Sequence, residues 1–158
     1  MHTGKYVFAQ LIEFLPQKFF QRIVMEYQGD KYVKSFSCWN QLLVMMFGQL
    51  AGCYSLRELV SVLGAHSRKA YHLGFGKSNI TRSNLSKANE NRNYQIFEKF
   101  AYKMIDIAQK KRLTKEFEIE GRYYAFDSTT IDLCLSLFWW AKFRKTKSGI
   151  KMHTLFDI

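Results

Sequence analysis

Gly121-Arg122-Tyr123-Tyr124-Ala125-Phe126-Asp127-Ser128-Thr129-Thr130 is where the apolar period of the chain changes. Upstream of it, apolar residues recur every three to four positions, the spacing that gathers them on one face of a helix. Tyr123 to Phe126 instead form a short aromatic run of the kind a buried strand uses, and the run delivers Asp127 at its end. A second strand is expected after a turn at Lys147-Ser148-Gly149. Ile150, Met152, Thr154, Phe156 and Ile158 alternate there with Lys151, His153 and Asp157, so the two sets fall on opposite faces. The expected fold is therefore α+β, with an all-helical domain over residues 1–118 and the first strands of an α/β domain, paired as a hairpin, over 119–158.

The helices are legible from spacing and caps. Phe8, Leu11, Ile12 and Leu15 make a first apolar face, and Pro16 suits the first turn of a second helix bearing Phe19, Phe20, Ile23, Val24 and Tyr27. Gly29 is expected to close it. Ser37 can cap a third helix with Trp39, Leu42, Leu43, Met46 and Leu50 on one face. Ser55-Leu56-Arg57-Glu58 has the spacing of a capping box ahead of Leu59, Val62 and Leu63. Thr81 to Asn89 suggests a short helix with a polar, hydrogen-bonding face. A long helix from about Asn93 carries Ile96, Phe97, Phe100, Ala101, Met104, Ile105 and Ala108, and ends in Lys110-Lys111-Arg112, where cations suit the helix dipole.

Composition limits the function classes. Of the 158 residues 47% are hydrophobic, enough for a packed core, and the formal charge is +11. A surface this basic attracts polyanions, nucleic acid first. The excess is late: residues 1–60 hold six Lys/Arg against four Asp/Glu, whereas 61–120 hold twelve against six. Cys38, Cys53 and Cys134 stand apart without a metal-ligand spacing and read as buried thiols of a reducing cytoplasm. His66 and His72 lack partners and read as surface residues. Residues 35–56 carry no charge, but polar side chains and glycines interrupt them, so a core helix is expected rather than a membrane span.

Three groups of residues could carry chemistry. Asp127, followed by Ser128, Thr129 and Thr130, has the makings of a first ligand for a hard cation, although an aspartate at a strand end is also a common turn former. Arg82, Ser83, Asn84, Lys87 and Arg92, with Asn89, mix charge with amide and hydroxyl groups, as a surface that grips phosphates and reads base edges does. A solvated helix face has the same composition. Lys142, Arg144, Lys145, Lys147 and Lys151 surround Phe143 beside Trp139 and Trp140, and could clamp a nucleic-acid strand or form an ordinary charged hairpin. The two tryptophans are expected in the core, and His153 is expected to be structural.

Taken together, Asp127-Ser128-Thr129-Thr130, Leu133 to Leu137, Phe138 to Arg144 and Lys147 to His153 resemble the start of the catalytic domain in bacterial DDE transposases of the IS-four-like group. Phe36 to Gln49, Gly52 with Ser55 to Leu59, and Arg82 to Asn89 resemble the helical domain that precedes it. The resemblance implies a ribonuclease H-like catalytic fold in which three acidic residues hold two Mg²⁺ or Mn²⁺ ions, with Asp127 as the first catalytic and metal-binding acid. It implies DNA partners, namely the terminal inverted repeats of the element and its target, self-association or pairing with full-length transposase, and a bacterial cytoplasmic location without membrane. After Asp127 only Asp132 and Asp157 remain, and no glutamate follows Glu120. The second aspartate and the glutamate of the family are therefore missing, and the chain is expected to be a transposase fragment, inactive alone and weak in metal binding. The alternative is a noncatalytic DNA-binding module or regulator of transposition.

Overall fold

A computed structural model describes residues 6–66, 73–75, 80–111, 124–133, 140–144 and 147–157, with the backbone alone for Lys147, Phe156 and Asp157. The chain divides into two compact units, residues 1–112 and 113–158. In the first, α1 (Val7–Glu13), α2 (Gln17–Glu26), α3 (Cys38–Leu50), α4 (Leu56–Ala65), α5 (Arg82–Asn91) and α6 (Gln95–Lys111) follow one another. In the second, β1 (Tyr124–Leu133), β2 (Lys142–Arg144) and β3 (Lys147–Asp157) form an antiparallel sheet in the order β1-β3-β2.

Local chemistry sets the helix ends. The Ser37, Ser55 and Thr81 hydroxyls accept from the backbone amides of Asn40, Glu58 and Asn84, each satisfying one of the unpaired donors of a first turn. Glu58 reaches back one residue further than a capping box requires, accepting from the Tyr54 amide at 2.9 Å. At the end of α2 the Gly29 amide donates to the Val24 carbonyl and the Gln28 amide to that of Met25, the paired bonds of a Schellman motif. The left-handed residue there is Gln28, with φ +51°, not Gly29. Gly29 is small for another reason: a Cβ on it would lie 2.5 Å from Ile96 Cδ1 and 2.8 Å from Cys38 Sγ.

Helix α3 sits between two apolar clusters, and this changes which of its faces is buried. Leu43 and Val44 join Phe8, Phe36, Leu59, Leu63, Phe75 and Leu85, while Cys38 joins Phe20, Ile23, Val24, Ile96 and Phe100 on the other side. The expected stripe through Trp39, Leu42, Met46 and Leu50 is only partly covered, and Leu50 is exposed. Leu42, Met46 and Leu50 instead line an apolar groove of about 590 Å³, bordered by Tyr94 and Phe97. Along α6, burial likewise stops early: Ile96 and Phe100 are buried, but Ala101, Ile105 and Ala108 face solvent. No helix among the described residues is long and apolar enough to cross a membrane, and α3 has 13 residues.

The sheet departs from expectation in three ways. Strand β1 does not stop at Asp127 but runs ten residues, with Asp127 fourth and opposite Thr154. Thr129, Thr130 and Ile131 are branched at Cβ and extend the ladder to Leu133. Lys147 to Gly149 belong to β3 rather than to a turn, since Ser148 pairs with both Leu133 and Lys142 and a third strand results. The aromatic run is not buried: Tyr124 and Phe126 are exposed, as is Trp140. A three-stranded sheet covers little apolar surface by itself.

Candidate nucleic-acid interface

On the sheet, side-chain alternation decides which groups can meet. Asp127 is exposed and shares its face with Thr129 on β1 and with Thr154 and Met152 on β3. Ser128, Thr130, Asp132, Lys151 and His153 fall on the opposite face, where the rings of Phe126 and His153 stack 5.3 Å apart. Asp157 pairs with Tyr124, three positions along β1 from Asp127. No group of three metal-ligating side chains occurs among the described residues. One carboxylate with two threonine hydroxyls is a poor match for Mg²⁺, which requires converging charged oxygens in near-octahedral geometry. The described residues therefore do not make an Mg²⁺ site.

The basic residues of the sheet are dispersed. Lys142 and Arg144 are exposed on β2, but a register shift between them interrupts the ladder, and the Arg144 guanidinium lies 5.8 Å from the Phe143 ring. Lys151 is exposed on β3, opposite Thr130. The backbone of Lys147 pairs with Arg144, while Lys145 and Trp139 lie outside the described residues, as do His72 and Cys134.

In the helical unit the polar helix is placed as its sequence suggests. Leu85 and Ala88 anchor α5 to the core, and Arg82, Ser83, Asn84 and Lys87 remain exposed. Asn84, Lys87 and Asn91 recur at helical spacing and form one wall of a groove of about 580 Å³. Residues 31–36 form the facing wall, which brings Lys31, Tyr32 and Lys34 opposite Lys87. Among the described residues no carboxylate lines this groove. Lys31, Tyr32 and Lys34 were not expected from sequence. Their only signal is an aromatic between two lysines, about 50 residues away from the helix they face.

Arg92 is a correction. Its side chain is 9% exposed, and its guanidinium donates to the carbonyls of Ser37 (3.1 Å) and Phe36 and to Gln41 Oε1 (2.8 Å), with Asp30 Oδ1 at 3.8 Å. Asp30 in turn accepts from the Cys38 amide at 2.6 Å. Arg92 thus ties the chain after α5 to the start of α3, with both terminal nitrogens engaged by internal acceptors even though the residue borders the groove. Asn89 is also engaged internally, accepting from Gln41 Nε2 at 2.6 Å. Burial, and next the hydrogen bond with Asp30, push the Cys38 thiol up to about 12, so it stays protonated and unreactive.

Residues 3–76 match the family described as Domain of unknown function (DUF4372). The match takes in α1 to α4 and ends before α5. No curated protein and no solved structure matches the chain.

Proposed function

We propose that this chain is the DNA-binding front of a transposase of the IS-four-like DDE group, joined to the opening strands of a ribonuclease H-like catalytic domain. The observation that carries the reading is the groove along α5, where cations and amides face one another without a carboxylate. Such a surface takes up phosphate oxygens and can reach base edges. The matched domain is one found in transposase-like proteins, which supports the same reading. On this reading Asp127 would be the first of three acids that hold Mg²⁺ or Mn²⁺ in a complete enzyme, a metal that would supply Lewis-acid chemistry to phosphodiester transfer, and the described residues alone do not make that site. The setting is the bacterial cytoplasm, with element ends and target DNA as partners, alongside further copies of transposase.

A noncatalytic DNA-binding module is the second reading, favoured by the absence of another carboxylate on the described face of Asp127. Both readings make the chain alone inactive on DNA. A metal-dependent cleavage and strand-transfer assay with Mg²⁺ or Mn²⁺ is expected to give no product. Product that disappears in Asp127→Asn would show instead that this chain is itself an enzyme.

A further inference from the structure

We infer that the groove between residues 31–36 and α5 is a site for a single DNA strand, with Tyr32 as the platform on which one base stacks. The inference rests on the DNA-binding reading and narrows it to a strand form and a residue. Tyr32 is 91% exposed, and its backbone has φ +61°, a left-handed conformation that costs a bulky side chain free energy. Nothing in the fold recovers that cost through burial of the ring. The conformation instead projects the phenol at the rim of a groove flanked by Lys31, Lys34 and Lys87. Lys31 Nζ lies 5.5 Å from the ring centroid, so a cation already borders the stacking face. Asn84 and Asn91 supply donors and acceptors along the opposite wall.

Size separates a single strand from a duplex. A space of about 580 Å³ has the dimensions of a small-ligand cleft and admits one strand with a splayed base. A duplex is too broad to enter a cleft of this size and can meet only its rim. Cations that follow the backbone and an aromatic that takes a base face are the parts from which strand-specific sites are built.

The test is fluorescence anisotropy of the whole chain with a labelled single-stranded oligonucleotide and with the corresponding duplex. Tyr32→Gly relieves the left-handed backbone, so it should melt no lower than the parent, yet weaken single-strand binding about tenfold. Tyr32→Phe, which keeps the ring, should bind within about twofold of the parent, and duplex binding should change little in either variant. Unchanged single-strand affinity in Tyr32→Gly would overturn the stacking role. Duplex binding without single-strand binding would overturn the site while leaving the DNA-binding reading intact. Binding to neither would overturn both.

Discussion

The guanidinium of Arg92 reaches two backbone carbonyls and an amide oxygen from a position 9% exposed, and removing it would take a charged donor from each, while the Ser37 carbonyl keeps the Gln41 amide. Hydrogen bonds to charged groups contribute roughly 1.5–3 kcal/mol each net of solvation, and buried acceptors left alone are costly. Arg92→Ala should therefore destabilise the helical unit by about 3 kcal/mol in a denaturant titration, and Arg92→Lys should recover little because one ammonium cannot span the fork. A loss of DNA affinity with unchanged stability would instead return Arg92 to the surface role its charge suggested. Gly29 makes a similar point about size. Ile96 and Cys38, the neighbours a Cβ would strike, are both fully buried, so a Cβ there must displace core side chains. Gly29→Ala should cost about 1–3 kcal/mol by overpacking, measured by the same titration, whereas a stabilised variant would mean that the side chains around Gly29 make room for a methyl.

Elements were legible where local chemistry decides them. Ser37 and Ser55 cap the helices their sequence context marks, because a hydroxyl ahead of an apolar repeat has one obvious use, whereas Thr81, read as part of its helix, is the cap ahead of it. Burial around α3 was not legible: a single-face pattern assumes one neighbour, and α3 has apolar clusters on two sides. The length of β1 was missed because Ser128 to Thr130 read as ligand-orienting hydroxyls, whereas threonines also favour strands. For the candidate interface, the exposed face of α5 was visible in sequence, but its opposite wall depends on tertiary placement. Helix α6 also allows a pH measurement. Hydrogen bonds from Lys103, then Lys110, hold the Asp106 carboxyl at about 2, below the ordinary value of ~3.9. Its contribution is therefore fully present above about pH 4 and lost as pH falls toward 2. Asp106 is partly exposed, so solvent screens the effect. Asp106→Asn should remove a small step in thermal stability between pH 4 and pH 2, and an unaltered step would place its origin elsewhere.

As a whole, the molecule combines a helical unit with a basic groove that no carboxylate lines among the described residues and a sheet unit with Asp127 on an open strand. A net charge of +11 favours polyanions whatever the chemistry of the chain, so affinity alone would distinguish little. Counting the ions that binding releases is more informative, because log affinity falls with log salt by about 0.9 per neutralised phosphate of duplex DNA. Duplex binding by the whole chain should be followed from roughly 50 to 200 mM salt, the range over which neutralised phosphates are most readily counted. Arg82→Gln with Lys87→Gln should make the slope shallower by about two, one for each cation removed from the DNA backbone. A parallel slope in this variant, or no binding of duplex or single strand by the parent at the lowest salt, would contradict a DNA interface on α5.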